Sequence, residues 1–292
     1  MQNIALLGLG AMGAAMAVKW RSCNFTVAAY NRSRAKAEAL AARGVQICPT
    51  PRDAAACADI VISIVADDEA SHRVWLGAEG AFAGVRSGAV VVESSTVSPA
   101  WAREFAALAA RAGADALDAP VGGGPAAVAS GRLVIFAGGS SAALARARPA
   151  LSAIAARIEH LGEAGAGATW KLINYMMAGV QLAGLAEALT LAAKAGIAPA
   201  RAGALIAESV VASPAVIAKL PRMINRRFKD PDAALRLVAK DQRYALDLAR
   251  ALGADLEILP VVAAIYARAE AEGLGDLDLA AVIESIGRRS GS

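Results

Sequence analysis

Residues 2–7, Gln-Asn-Ile-Ala-Leu-Leu, read as a short apolar strand running straight into Gly8-Leu9-Gly10-Ala11-Met12-Gly13. After Gly13 the pattern turns helical, through Ala14, Met16, Ala17 and Val18. Strand, glycine turn and helix in direct succession constrain this chain more than any other stretch. The first glycine permits the tight turn, the second lets backbone approach a pyrophosphate, and the third lets helix pack on strand. The helix N-terminus then faces the phosphates with its positive dipole end. Residues Gly8 to Gly13 are thus candidate dinucleotide ligands, and a repeating β/α order is expected to follow.

It does follow. A strand over Thr26 to Tyr30 ends in Asn31-Arg32-Ser33, ahead of a helix over Arg34 to Arg43. An NAD-specific domain usually carries an acidic residue here for the ribose hydroxyls. Arg32 and Ser33 can instead hold a 2′-phosphate, which favours NADP(H) and leaves NAD(H) possible. Ser33 also reads as a helix N-cap. A strand over Asp59 to Val65 runs into Ala66-Asp67-Asp68, and one over Ala89 to Val92 into Glu93-Ser-Ser-Thr96. Ligands of a doubly wound sheet lie outside the carboxyl ends of its strands, so Val65, Ala66, Asp67 and Thr96 are placed at the nicotinamide half. Thr96 or Ser98 also suits a helix cap.

Three glycines, Gly122, Gly123 and Gly124, follow Ala116-Leu-Asp118-Ala-Pro-Val. Their bare backbone N–H groups can approach an anion closely. Leu133 to Ala137 is another strand, with Gly138-Gly139 as its turn. Ala142 to Leu151 is helical and Arg157 to Leu161 a last strand, about seven in all. The first domain is set at residues 1–162.

Two glycines then break the chain at Gly165-Ala-Gly-Ala-Thr-Trp-Lys171-Leu-Ile-Asn174-Tyr175. From about Thr169 one apolar helix reads through to Lys194, with Gly196 and Pro199 as stop signals. Lys171 and Asn174 sit three apart and share a face near its start. Helices are expected over Pro199 to Val211, Pro214 to Arg222, Pro231 to Gly253, Pro260 to Glu272 and Asp278 to Arg289. The fold class is therefore an α/β Rossmann domain, then an all-α domain over 163–292 for substrate and oligomerisation. A long interdomain helix joins them.

Composition excludes several classes. Hydrophobic residues make up 57% and charged residues 19%, which suits a packed globular protein. The net charge of +4 is spread out, so no nucleic-acid partner is expected. Leu172 to Ala193 approaches membrane-spanning length, but Asn174, Gln181 and Glu187 and its small residues suit a buried interdomain helix, so no membrane partner is expected. Three cysteines and two histidines lack metal spacing, so no metal site is expected and a reducing, cytoplasmic setting fits. Residues 2–7 leave no room for a targeting segment.

Four ordered motifs make the chain resemble the β-hydroxyacid dehydrogenases, which include 3-hydroxyisobutyrate dehydrogenases and tartronate, glyoxylate and succinic semialdehyde reductases. They are Gly8-Leu-Gly-Ala-Met-Gly13, Asp118-Ala-Pro-Val-Gly-Gly-Gly124, Gly165-Ala-Gly-Ala-Thr-Trp-Lys171-Leu-Ile-Asn174 and Lys240-Asp241. The resemblance spans the chain and implies hydride transfer between NADP(H) and a short β-hydroxy acid or its semialdehyde or keto-acid partner. It implies that Lys171 is the acid/base, that Asn174 holds substrate, that Gly123 and Gly124 bind its carboxylate, and that Lys240 closes over cofactor and substrate. It also implies a homodimer or homotetramer.

The chemistry agrees: reduction of a carbonyl needs a proton donor at the developing alkoxide, and burial or a nearby cation such as Lys240 would lower a lysine's pKa. Lys171 also reads as a snorkelling lysine at a helix start. Two departures bear on substrate. Gly122 stands where the family usually has serine, and Tyr175 where a second asparagine is frequent. Both point to a bulkier or less oxygen-rich substrate. The competing functions are an imine reductase, which generally lacks the lysine, and a non-catalytic NADP-binding module. The 6-phosphogluconate dehydrogenases are much longer.

Overall fold

The computed structural model describes residues 2–288; the expected helix end at Arg289 lies outside them. The chain forms two compact units, one up to Lys171 and one from Leu172. The first runs β1 (Asn3–Leu7), α1 (Ala11–Ser22), β2 (Thr26–Tyr30), α2 (Arg34–Ala41), β3 (Gln46–Ile47), α3 (Pro51–Ala55), β4 (Ile60–Ser63), α4 (Asp68–Trp75), β5 (Val90–Glu93) and α5 (Pro99–Arg111). It continues with β6 (Asp115–Asp118), β7 (Val121–Gly122), α6 (Pro125–Ala129), β8 (Leu133–Gly139), α7 (Ser141–Ser152) and β9 (Ala155–Gly162).

The strands form one sheet in the order β3-β2-β1-β4-β5-β6-β8-β7, with β9 on β8. From β3 through β6 every neighbour is parallel. The central strands β1, β4 and β5 are buried on both faces, as continuous apolar strands require. Ile4 and Leu6 of β1 pack in one cluster with Met16 and Trp20 of α1 and Leu144 of α7. Ala5 and Leu7 pack in the other with Trp75 of α4 and Trp101 and Phe105 of α5. This is the doubly wound arrangement expected of a Rossmann domain.

The structure differs from expectation in several places. Strand β2 covers Thr26–Tyr30 as expected, but nine strands form among the described residues, because the two-residue β3 and β7 escape a periodicity test. Gly138 and Gly139 are not a turn; they lie in β8 and pair antiparallel with Asp118 and Leu117. A Cβ at Gly138 would fall 2.4 Å from Asp118 Oδ1, so glycine there answers a close approach. Helix α1 starts at Ala11, two residues before the third glycine of its loop.

Helix α8 (Ala166–Lys194) begins three residues earlier than Thr169, with Gly167 inside its first turn. A Cβ at Gly167 would meet the Phe136 carbonyl oxygen at 2.3 Å, so this glycine lets the helix start against the sheet.

The second unit holds most of α8, then α9 (Pro199–Ala207), α10 (Pro214–Ile224), α11 (Leu235–Leu252), α12 (Ile258–Ala269) and α13 (Val282–Arg288). Helix α8 is long and apolar enough to cross a bilayer by length and composition. Its Leu182, Leu185, Ala186 and Leu189 instead pack with Leu220 and Met223 of α10, Val238 of α11 and Tyr266 of α12. Helix α11 starts later than Pro231 and ends at Gly253 in a left-handed cap with φ +66°. The helix expected over Pro260 to Glu272 starts at Ile258, is α-helical to Ala269 and runs on as a π-helical turn over Glu270–Leu274, broken at Gly273 with φ +83°.

Candidate active site

The glycine loop sits where β1 and β4 end. Gly8 has φ +106°, and a Cβ there would fall 2.4 Å from the Ile64 carbonyl oxygen. A Cβ at Gly13 would fall 2.0 Å from the Gly8 carbonyl oxygen. The protein's own packing therefore demands both. Gly10 differs: it has φ −67° and ψ −173°, and nothing lies within 4 Å of a Cβ built on it. Neither strain nor packing explains that glycine. Open space beside bare backbone at a helix start suits a pyrophosphate, so these residues fit a dinucleotide.

Asn31 braces the loop by accepting from the Leu9 amide at 2.9 Å while donating to the Ser33 carbonyl at 2.8 Å. That amide is committed within the protein. Met12 packs against the sheet, while Ala11 is exposed. Arg32 and Ser33 are exposed, and Ser33 occupies the N-cap of α2 with no side-chain capping bond.

Val65, Ala66 and Asp67 follow β4 and are half-buried. Asp67 caps α4, accepting from the Ala70 amide at 2.8 Å. The Val65 amide donates to Ser95 Oγ at 2.7 Å, and the Ser95 amide donates to Glu93 Oε1 at 2.9 Å. Fully buried Glu93 also accepts from the Ser71 hydroxyl and, at 3.2 Å, from Trp75 Nε1. Thr96 is half-buried in the same loop; Ser98, not Thr96, caps α5 and donates its hydroxyl to Asp68. Sequence reasoning passed over Glu93 and Ser95, although an acid directly after a fully apolar strand was a usable signal.

Lys171 is 4% exposed, and its Nζ donates to the Val121 carbonyl at 2.6 Å. Val121 opens the Gly122–Gly124 segment, so the ammonium and the glycines share one end of β7. Gly123 has φ +115°, while Gly124 is extended with nothing within 4 Å of its Cβ direction. What sets Lys171 in place is Asp118. Its two carboxylate oxygens accept from the Gly165 amide at 2.8 Å and the Ala168 amide at 2.7 Å, which caps the start of α8. Burial pushes the Asp118 carboxyl above the usual aspartate range, against the lowering effect of those amides.

The remaining candidates belong to the second unit. Asn174 is exposed and Tyr175 half-buried on α8. The Tyr175 carbonyl accepts from Gln242 Nε2 at 3.0 Å, which ties α8 to α11 two residues beyond Lys240. Lys240 is buried, 3.2 Å from Asp241 Oδ1 and 4.9 Å from the centre of the Tyr244 ring.

Residues 3–162 match the family model for the NAD-binding domain of 6-phosphogluconate dehydrogenase. Residues 165–286 match that described as NAD-binding of NADP-dependent 3-hydroxyisobutyrate dehydrogenase. The chain is 34% identical to 2-(hydroxymethyl)glutarate dehydrogenase of Eubacterium barkeri, over 97% of this chain and 94% of that one. Among solved structures, 3-hydroxyisobutyrate dehydrogenase of Mycobacterium tuberculosis, with L-serine, matches at 35% identity and TM-score 0.87, over 98% and 99% of the two chains. The Salmonella typhimurium 3-hydroxyisobutyrate dehydrogenase matches at 28% identity and TM-score 0.90, over 97% and 99%. Fold, glycine loop and whole-length similarity together define a nicotinamide-dinucleotide-dependent oxidoreductase. The chain belongs to the β-hydroxyacid dehydrogenase family, the group that includes the 3-hydroxyisobutyrate dehydrogenases.

Proposed function

We propose that this protein transfers a hydride between NADP(H) and a short β-hydroxy acid or its semialdehyde or keto-acid partner, with Lys171 as the acid/base. The observation that carries the reading is the buried Lys171 ammonium on the Val121 carbonyl, at the mouth of the Gly122–Gly124 segment. When bound, the nicotinamide supplies or takes the hydride. The Lys171 Nζ gives a proton to the substrate oxygen in reduction and removes it in oxidation. Backbone N–H groups of Gly122 to Gly124 hold the substrate carboxylate, and Asn174, one helical turn beyond Lys171, holds the substrate with Tyr175 beside it. Lys240 contributes a cation toward cofactor and substrate.

Gly8 to Gly13, Asn31, Val65, Ala66, Asp67 and Thr96 make up the dinucleotide site in this reading. Exposed Arg32 and Ser33, with no acid at that strand end, support NADP(H) over NAD(H). The division into a cofactor domain over 1–162 and a substrate and oligomerisation domain over 163–292 is supported by the limits of the two family matches. Exposed Leu205, Val210, Val211 and Ile217 support a homodimer or homotetramer. Cys23, Cys48 and Cys57, none in a disulfide, support the cytoplasm.

The test is NADPH and NADH oxidation with glyoxylate, succinic semialdehyde, tartronate semialdehyde and methylmalonate semialdehyde, with Lys171→Ala alongside. Turnover with NADPH, lost in the variant, is the expected result. Undiminished turnover in the variant would remove Lys171 from the chemistry, and faster turnover with NADH would reverse the cofactor preference.

A further inference from the structure

Gly122 lacks a side chain, and an aromatic ring stands where one would project. A Cβ on Gly122 would touch Phe136 Cε2 at 3.4 Å. Phe136 is 7% exposed, and its ring meets the Trp170 ring edge-on, centroids 6.4 Å apart and planes at 67°. Trp170 directly precedes Lys171. Three of the four tryptophans, Trp20, Trp75 and Trp101, are at most 3% exposed, with their indole N–H groups on Ala150, Ser63 and Ser71. Trp170 is 44% exposed. Phe136 therefore borders the glycine segment on the side toward which a side chain at 122 would project, and Trp170 packs edge-on against Phe136.

We propose that Phe136 and Trp170 form an apolar wall beside the Gly122–Gly124 carboxylate cradle and set substrate choice. The substrate class is a 3-hydroxy acid with an apolar group, alkyl or aryl, on the carbon next to the carboxylate. This rests on the hydroxy-acid dehydrogenase reading above. The cradle offers backbone N–H groups and no side-chain hydroxyl at 122, so it binds the carboxylate but gives a neighbouring hydroxyl no partner. A hydroxyl desolvated against aromatic carbon without a partner is disfavoured, whereas a methyl or phenyl group gains contact there.

Three compounds that share one skeleton and differ only at that carbon test it: 3-hydroxyisobutyrate, 3-hydroxy-2-phenylpropanoate and glycerate. The wild-type enzyme is expected to oxidise the first two with kcat/KM on the order of tenfold or more above glycerate. Trp170→Ala and Phe136→Leu are expected to lower the phenyl-to-hydroxyl ratio about fivefold or more, and Gly122→Ser with Phe136→Leu to raise turnover of glycerate. NADPH titration checks that each variant is folded; should Phe136→Leu fail it, the ratio in Trp170→Ala decides.

A readout without turnover is the intrinsic emission of Trp170 during titration with 2-phenylpropanoate. It is expected to change in wild type and to stay flat in Trp170→Phe. An unchanged ratio in the variants, a wild type that prefers glycerate, or flat emission in wild type would overturn the wall while leaving the reaction class intact. No turnover of any of the three, with cofactor bound, would overturn the hydroxy-acid reading itself and the wall with it.

Discussion

The Val65 amide and the Ser95 hydroxyl are joined by a 2.7 Å hydrogen bond between the segments that follow β4 and β5. Glu93, fully buried, holds Ser95 in turn. The loop assigned to the nicotinamide half is thus fixed from beneath by a carboxylate. Ser95→Ala is expected to raise the KM for the dinucleotide about fivefold to tenfold and to lower stability by about 1 kcal/mol. Steady-state kinetics and thermal melts measure both; an unchanged KM would mean that the loop holds its shape without Ser95.

The three glycines of the fingerprint are expected to separate by experiment. Gly10→Ala has room and an ordinary backbone angle, so it is expected to fold within about 1 kcal/mol of wild type. Its dinucleotide affinity is expected to fall at least about tenfold as the methyl takes the pyrophosphate's place. Gly13→Ala forces a clash with the Gly8 carbonyl and is expected to lose about 2 kcal/mol or more. Denaturation curves and NADPH titration decide; full-affinity binding by Gly10→Ala would place the pyrophosphate elsewhere.

Lys171→Ala is expected to reduce kcat by about 10²- to 10⁴-fold, the range for a lost general acid, while NADPH affinity changes by less than about threefold. Lys171→Arg is expected to be nearly as slow, since a guanidinium does not give up its proton. A kcat within about tenfold of wild type in Lys171→Arg would assign the lysine to charge alone.

Asp118 carries a pH signature. Its carboxyl is pushed above the ordinary aspartate range by burial, so the folded state holds that proton more tightly than the unfolded chain. Stability from this group is therefore greatest below the ordinary range and falls as pH rises through the raised value. Asp118→Asn keeps one acceptor for the Gly165 and Ala168 amides and loses the other, a cost of about 1–3 kcal/mol. The advantage of wild type over the Asp118→Asn variant is expected to shrink with rising pH in denaturant midpoints taken from pH 4 to 8. Growth with pH would show that the amides outweigh burial.

Arg32→Ala is expected to lower the NADPH-to-NADH ratio of kcat/KM about tenfold or more, the worth of a charge-assisted phosphate contact. An unchanged ratio would leave the preference to other residues.

The periodic parts of this chain were legible. Strand β2 and the starts of α9 and α10 fall where the apolar pattern and the prolines put them. For Lys171 the sequence left two readings, an acid/base and a snorkelling surface lysine, and the structure buries the side chain with its Nζ on the Val121 carbonyl. Contacts made across long stretches of sequence were not legible. Asp118 reaches Ala168 over 50 residues, and Glu93 is met by Ser71 and Trp75 of α4. Nothing local to Asp118 shows that it will be buried, and for Glu93 the one local sign is its place at the end of an apolar strand, which names none of its partners. Gly138 and Gly167 misled for the same reason: both are glycine because another backbone passes close, not because the chain turns. Phe136 and Trp170, apolar residues in apolar segments, gave no sign of facing each other.

The boundary between the two units lies between Lys171 and Leu172, inside α8 and not in a linker. A helix interior offers a protease no extended segment to grip, so limited digestion will not release the halves at that point. A truncation that ends near residue 162 leaves the carboxylate of Asp118 with no helix to cap, and one that ends at 171 puts the lysine on a frayed last turn. The nucleotide-binding half can be studied alone with its lysine in place only if it carries several further residues of a helix that belongs to the other half.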